Sequence, residues 1–367
     1  MEVIKIYHGL ENVPVAATEI SDVQGHVGKL IIRGYSVEEL APIISFEGSL
    51  HLLWHGTLPT SASEAELRHQ LGVAREAVYT HVLSVGHLIF ARSGKVDVMD
   101  LVRAAVAALP SETEPLAIVA TVAMAAVVWN AQRQKQTPKP PDVMLSHATD
   151  ILRMLSRSDS TPPLTKAFES YLATVADHGM NASTFAARVV ASTQSDLVSA
   201  VTAAIGALKG PLHGGAPGPV LDMLDQIARP ERAEEWLLGE LAAKRRIMGM
   251  GHRVYKVRDP RAAVLELAIE RLEKSGLRTP RLAMARAVEK AAERTLRKRY
   301  PDRELHANVE FYTAVLLDAV GIPREVFTAV FAMSRVLGWC AHVEEQRKDG
   351  RLIRPESVYV GRIHQSV

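Results

Sequence analysis

The chain has 367 residues, 47% hydrophobic and 23% charged, the balance of a globular protein of two or three domains or of one large helical body with an insertion, and wholesale disorder is excluded. Lys plus Arg number 43 against 41 Asp plus Glu, a formal charge of +2 that gives no general attraction to nucleic acid or to an anionic membrane. One cysteine, Cys340, forms neither an internal disulfide nor a thiolate zinc site and fits a reducing, cytoplasmic setting. With aromatics at only 5%, the core must be built from Ala, Val, Leu and Ile, which favours packed helices over a sandwich or barrel.

The first fourteen residues carry acids and no apolar stretch, so no leader peptide is expected. Residues 29–33, between Gly28 and Gly34, read as a short strand. From there helical signatures follow one another. Ser36 can cap a helix, and Ser45 opens another that stops at Gly56. Residues 116–129 are apolar on all sides; at 14 residues the stretch is shorter than the roughly 20 a bilayer needs, so a buried helix is expected. Residues 132–142, with Pro138, Pro140 and Pro141, predict a surface loop. A helix over 196–208 is expected with Ser195 as its cap and with Lys209 and Gly210 as a basic last turn and C-cap glycine. The breakers in 211–219 predict a rigid loop and a domain boundary. Helical patterns resume at 220–227, 231–244, 260–274, 280–300, 308–320 and 323–347. The fold class expected is mainly α, with short strands only near the N-terminus. A large helical domain would take 1–215 and 317–367, and a smaller, more charged helical domain 216–316 would be inserted into it. No GxxxxGK or GxGxxG cradle and no repeat of 20–50 residues is present.

Three histidines sit in glycine-rich or turn-like settings that suit acid–base work: His178, His213 and His252. Together with Glu310 they could supply metal ligands, but separations of 35 and 39 residues between the histidines leave no short-range ligand pair, so no metal is expected. The basic run 281–303 is interleaved with Glu289, Glu293 and Asp302 and lacks stacking aromatics, so it reads as a solvated helix face rather than a nucleic-acid surface.

Taken together, several ordered motifs resemble the citrate synthase family in its short form. They are Gly210-Pro211-Leu212-His213-Gly214-Gly215-Ala216; Met248-Gly249-Met250-Gly251-His252 running on to Asp259-Pro260-Arg261; Asn308-Val309-Glu310; and Ser334-Arg335-Val336-Leu337-Gly338-Trp339. The likeness extends to Gly25 through Leu40, to Ser45 through Pro59, to His178 through Phe185, and to Arg354-Pro355, and so covers nearly the whole chain.

That resemblance implies a homodimer of two-domain subunits that condenses oxaloacetate with acetyl-CoA and hydrolyses citryl-CoA, with no cofactor beyond the CoA substrate. A 2-methylcitrate synthase using propanoyl-CoA is the close alternative, because one methylene is worth only about 1–3 kcal/mol in an apolar pocket; a non-catalytic relative is the remote one. A thioester methyl group gives up its proton only if a base works on one side while a donor stabilises the enolate oxygen on the other. By match, Glu310 is the base, His213 the donor, and His252 polarises the ketone of oxaloacetate and supplies a proton to the developing alkoxide. Arg261, Arg335 and Arg354, assisted by His178, would hold the substrate carboxylates, with Arg354 reaching into the neighbouring subunit's site. The backbone of Ile247, Met248, Gly249, Met250 and Gly251 would meet the adenine of CoA, Lys256 a phosphate and Asn308 the thioester arm. The chain departs from the family in carrying Glu310 where aspartate is usual, and Gln24 where aspartate is frequent.

Overall fold

The computed structural model describes residues 6–156, 159–213 and 217–362; Gly214, Gly215 and the expected domain boundary between 215 and 216 lie outside them. Among the described residues there are fifteen α-helices and three short strands, so the expected helical fold is the one adopted.

Ser21–Gln24, Lys29–Ile32 and Tyr35–Ser36 form an antiparallel meander, with Ser21 opposite Ile32 and Gln24 opposite Lys29. Leu30 and Ile32 point into the core. The middle strand ends at Ile32, one residue earlier than expected, because Arg33 and Gly34 both take positive φ and make the next turn. The turn of the first hairpin lies against residues 254–258. A Cβ on Gly25 would stand 2.4 Å from the Val254 carbonyl oxygen, and Lys256 N–H donates to the Gly25 carbonyl at 3.1 Å.

Several local expectations are met. Ser36 Oγ accepts from Glu39 N–H, and Ser45 Oγ accepts from Gly48 N–H at the start of Phe46–His55. That helix ends on Gly56 at φ +78°, a left-handed cap glycine adopts without strain. Others are corrected. Leu197–Leu208 is capped by Asp196, whose carboxylate accepts from Ser199 N–H, rather than by Ser195. At its other end Lys209 stays right-handed, and Gly210 is not left-handed, so there is no glycine cap. The helix expected from residue 220 begins at Pro217. Proline is tolerated in a first turn, where no intrahelical N–H is needed.

The apolar stretch 116–129 lies within a 19-residue helix, Pro115–Arg133. This helix and the 25 residues 324–348 are both long and apolar enough to cross a bilayer, so length does not exclude a span as expected, although the helix is buried as expected. What sets them apart is packing: their most apolar windows are 72% and 94% buried inside the protein. Phe327–Asp349 runs through the middle of the molecule against Phe46–His55, Pro115–Arg133, Pro162–Val175, Ala182–Ser192 and Leu197–Leu208. Its carboxylate Glu345 reaches back to the start of the chain and accepts from Thr18 Oγ1 at 3.2 Å and Glu19 N–H at 2.9 Å.

Pro260–Lys274 packs both on Pro162–Val175 and on Val309–Ala319. Residues 252–261 are thereby brought opposite residues 171–178. In the basic helix Pro280–Arg299, Arg281 pairs with Asp225 and Asp318, Arg286 with Glu266 and Glu270, and Lys298 with Glu234.

Candidate active site

His252 sits on a loop shaped by glycine. Gly249 and Gly251 both take positive φ, and a Cβ on Gly249 would strike Phe311 at 2.9 Å. Met250 and Ala307 form an antiparallel bridge, Asn308 N–H donates to the Gly249 carbonyl at 2.9 Å, and Gly251 N–H donates to the His306 carbonyl at 2.7 Å. The loop that presents His252 is thus zipped to the segment that leads into Glu310.

The ring of His252 is held in one tautomer. Its Nδ1 accepts from the backbone N–H groups of Val254 at 3.0 Å and Tyr255 at 3.1 Å, so a neutral imidazole carries its proton on Nε2. Burial, then the Arg261 charge, lower its pKa to about 4, so the ring is neutral at pH 7. Nε2 faces Arg261 Nη2 at 3.3 Å. Both atoms are N–H donors when the ring is neutral, so neither satisfies the other and an acceptor oxygen, as a ketone or carboxylate supplies, suits the place between them.

Arg261 lies in the first turn of Pro260–Lys274 and is 3% exposed. Its Nε and Nη2 form a fork with the buried Asp259 carboxylate at 3.0 and 2.8 Å. Asp259 caps that helix through Arg261 N–H and also accepts from Val309 N–H at 3.1 Å, joining two helix starts. His178 completes this wall. Its Nε2 is 3.2 Å from the Tyr255 hydroxyl, and its ring meets His252 edge-on with centroids 5.6 Å apart. Burial, followed by the Arg261 charge and with Arg335 adding to it, holds its pKa well below the ordinary histidine range, so it is neutral at pH 7.

Arg335 is 1% exposed and anchored by Nε to the Val175 carbonyl at 2.7 Å, with its guanidinium 4.6 Å from the Phe331 ring centre. Its Nη2 is buried without a partner. Burial lowers its pKa to about 10, partly offset by Asp177, while Arg261 adds to the fall, so it remains a cation. Asp259 balances Arg261, but the Nη2 of Arg335 is left without an acceptor, and a substrate carboxylate would supply one.

Glu310 is the second residue of Val309–Ala319; Asn308 caps that helix by accepting from Glu310 N–H at 3.0 Å. Glu310 Oε2 is buried with no partner. Burial raises this carboxyl to about 7 against the pull of Arg261 and Arg335, which is where a general base at neutral pH is most effective. His213 follows Leu197–Leu208, and its Nε2 lies 2.9 Å from Ser183 Oγ. Ser183 Oγ is 2.7 Å from Asn181 Oδ1 and accepts from the Trp339 indole N–H at 3.1 Å. Burial, then Arg335, lowers His213 to about 4.

The structure therefore gathers His178, His213, His252, Arg261, Arg335 and Glu310 into one neighbourhood. Arg354 is not among them. It is exposed on an extended tail, and Ile353 N–H is bonded to Ser192 Oγ, at the opposite end of Ala182–Ser192 from Ser183. In the 247–251 loop, the side chains of Ile247 and Met250 are buried, leaving mainly backbone to meet a ligand. Lys256 is exposed, and both ends of the Asn308 side chain are engaged, by Glu310 N–H and by the Gly251 carbonyl. Among the described residues no three of His, Cys, Asp and Glu stand together as a metal-binding group.

A family model described as "Citrate synthase, C-terminal domain" matches residues 9–356. The chain belongs to the citrate synthase family. It is 37% identical to the citrate synthase of Mycolicibacterium smegmatis, over all of this chain and 98% of that one, and 36% identical to that of Haloferax volcanii, over 97% and 96%. Among solved structures, citrate synthase from Thermotoga maritima superposes with a TM-score of 0.86 at 34% identity, covering 99% and 98% of the two chains. That from Thermoplasma acidophilum, a ternary complex with carboxymethyl coenzyme A and oxaloacetate, gives 0.85 at 30%, covering 99% and 98%. Citrate synthases are acyltransferases, and this chain is an enzyme of that class. Beyond the residues singled out in the sequence, the site of this family member includes Tyr255, Asp259 and Ser183, which hold His178 and His252, Arg261, and His213 respectively. Each lies inside a quoted motif, but its role depends on a partner that only the fold supplies.

Proposed function

We propose that this protein condenses acetyl-CoA with oxaloacetate and hydrolyses the resulting thioester to citrate and CoA. One observation carries the reading: an unpartnered buried carboxylate, Glu310, faces two buried arginines and neutral histidines in a chain that matches citrate synthases from end to end.

Oxaloacetate would lie between Arg261 and Arg335, its ketone oxygen taking the converging donors of His252 and Arg261, with His178 beside it. Glu310 removes a proton from the acyl carbon while His213 donates to the thioester oxygen, so the enolate forms between base and donor. For that donation the Ser183 hydroxyl turns to His213 Nε2, which leaves the imidazole proton on Nδ1. The enolate carbon then attacks the ketone carbon, and the Nε2 proton of His252 goes to the new alkoxide and is replaced, through solvent, by the proton Glu310 took up, which restores both groups. Water completes the hydrolysis, releasing CoA. No metal or organic cofactor enters this scheme. For CoA, we assign the 247–251 backbone to the adenine, Lys256 to a phosphate and Asn308 to the thioester arm.

Residues 216–316 would act as a small domain that closes on the rest, since Arg261 and His252 belong to it and Arg335 does not. A bridging dianion favours the closed state. We further propose a cytoplasmic homodimer in which Arg354 serves the neighbouring site; its position on the far side of Ala182–Ser192 supports action in trans. Thiol release measured with oxaloacetate and either acetyl-CoA or propanoyl-CoA tests the reading. Release with acetyl-CoA at the higher kcat/KM is expected, a propanoyl preference makes it a 2-methylcitrate synthase, and no release with either refutes both.

A further inference from the structure

Three of the buried polar atoms without partners lie on Pro162–Val175 and on two helices packed against it: Tyr171 Oη on Pro162–Val175 itself, Glu310 Oε2 on Val309–Ala319 and Arg335 Nη2 on Phe327–Asp349. Leaving such a group unsatisfied costs about 1–3 kcal/mol, so three together mark a place that is completed when the cleft is filled. Arg335 Nη2 is a charged donor suited to a substrate carboxylate. The hydroxyl is a different case.

Tyr171 is fully buried, one helical turn before Val175, whose carbonyl anchors Arg335. The ring is stacked beside Phe168, with centroids 6.3 Å apart and planes 12° from parallel. The next residue, Leu172, accepts a hydrogen bond from Ser334 at its carbonyl, so this turn is fixed against the Arg335 helix. The hydroxyl thus comes from a rigid element. Glu310, by contrast, carries its carboxylate on three side-chain torsions, and its Oε2 has no donor. A base so loosely held loses rate, since about 1 Å of misplacement costs around a hundredfold.

We propose that Tyr171 is a positioning residue of the condensation: when substrate fills the cleft, its hydroxyl donates to Glu310 Oε2 and holds the carboxylate with Oε1 free to take the proton. This rests on the condensing-enzyme reading given above. Burial, then the Glu310 charge, pushes the phenol well above its ordinary range, so Tyr171 stays protonated and acts only as a donor. A donor to the ionised carboxylate favours that form, so the bond also adjusts the pH at which Glu310 begins to work.

The test is the pH profile of kcat for thiol release by the full-length enzyme and its Tyr171→Phe variant. Loss of a hydrogen bond to a charged group predicts a kcat lower by about ten- to a hundredfold. The acid limb should move up by about one pH unit, with KM for oxaloacetate within about twofold. In a Glu310→Gln background the same change should do nothing further, which a merely structural role would not produce. A 3-fluorotyrosine at position 171 fills nearly the same space with a more acidic hydroxyl and should move the limb down; it decides the matter if Tyr171→Phe does not fold. A wild-type profile in these variants, or an equal loss in the Glu310→Gln background, overturns the Tyr171 assignment alone. A wild type that releases no CoA overturns it together with the reading it rests on.

Discussion

Asn308 donates from its side-chain amide to the Gly251 carbonyl at 2.8 Å, while its side-chain oxygen caps the Glu310 helix at 3.0 Å. One residue therefore fixes the distance between the loop that presents His252 and the helix that presents Glu310. Asn308→Asp keeps the cap but loses the donor and sets a carboxylate against the Gly251 carbonyl. Stability should fall by about 1–3 kcal/mol, because the cap is kept but the Gly251 carbonyl loses its donor, while kcat/KM falls by roughly ten- to a hundredfold through misplacement. Asn308→Ala should lose about 1 kcal/mol more, with the cap gone as well. Denaturant melts and steady-state kinetics on both variants separate the two effects.

Glu310→Gln removes the base without removing its bulk. The expected outcome is a loss of about a hundredfold or more in kcat, with oxaloacetate binding by calorimetry within about threefold of wild type. Turnover close to wild type in this variant would place the base elsewhere.

The same carboxyl predicts two pH dependences. As a base it works ionised, so the wild-type kcat/KM, which reports the free enzyme, should rise with pH through a midpoint near 7, where burial has set it. For stability the sign is the opposite. The folded value lies above the unfolded value of 4.5, so the folded state binds the proton more tightly, and stability falls as pH rises from about 4.5 to about 7. Glu310→Gln escapes that loss. Its Tm should exceed the wild-type Tm by more at pH 8 than at pH 5, and an equal difference at both would contradict the burial of this group.

For Arg354, subunit mixing gives the measurement. Arg354→Ala and His213→Ala should each be nearly inactive alone. In random mixed dimers both defects fall in one site and leave the other intact, so activity should return to about a quarter of wild type. Mixed dimers confirmed by affinity tags yet without activity would show that Arg354 acts in cis or not at all.

Gly25→Ala tests the clasp between the first hairpin and the His252 loop. The added Cβ meets the Val254 carbonyl at 2.4 Å, and backbone rather than a flexible side chain must give way. A stability loss of about 1–3 kcal/mol should accompany a fall in kcat/KM of about tenfold or more. Gly34→Ala is the control: it has a positive φ but no atom within 4 Å of its Cβ, so it should lose stability by strain and keep its kcat.

What could be read from the sequence was local. Ser45, Gly56 and Asp259-Pro260 signal helix ends through their own side chains or torsions, and those helices begin and end where expected. Ser195 and Asp196 are both good caps, and only the backbone path selects Asp196. The 32-residue helix Ser61–Arg92 is the longest element, yet it has no clean apolar stripe because its buried residues, among them Leu71, Val78 and Val82, are few and widely spaced. In the site, His178, His213, His252, Arg261, Arg335 and Glu310 were legible because motifs surround them. Tyr171 was not, since its meaning depends on residues more than 130 positions away on two other helices. Arg354 was legible as a residue, but its distance from its own cleft is a property of the tail's path.

Glu345 holds Thr18 and Glu19, more than 320 residues earlier in the chain. At about 5–20 residues per second on the ribosome, the N-terminal segment waits roughly 15–70 seconds for the partner that secures it. Until residues 260–274 emerge, Leu30 and Ile32 lack one of the helices they lie against, and Arg335 does not yet exist. A nascent chain thus exposes an unprotected three-stranded edge that is open to chaperones and to misassembly with its neighbours. The same bonds set residues 18 and 19 beside residue 345, so a circular permutant that links the chain between these two regions would turn a contact across more than 320 residues into a local one.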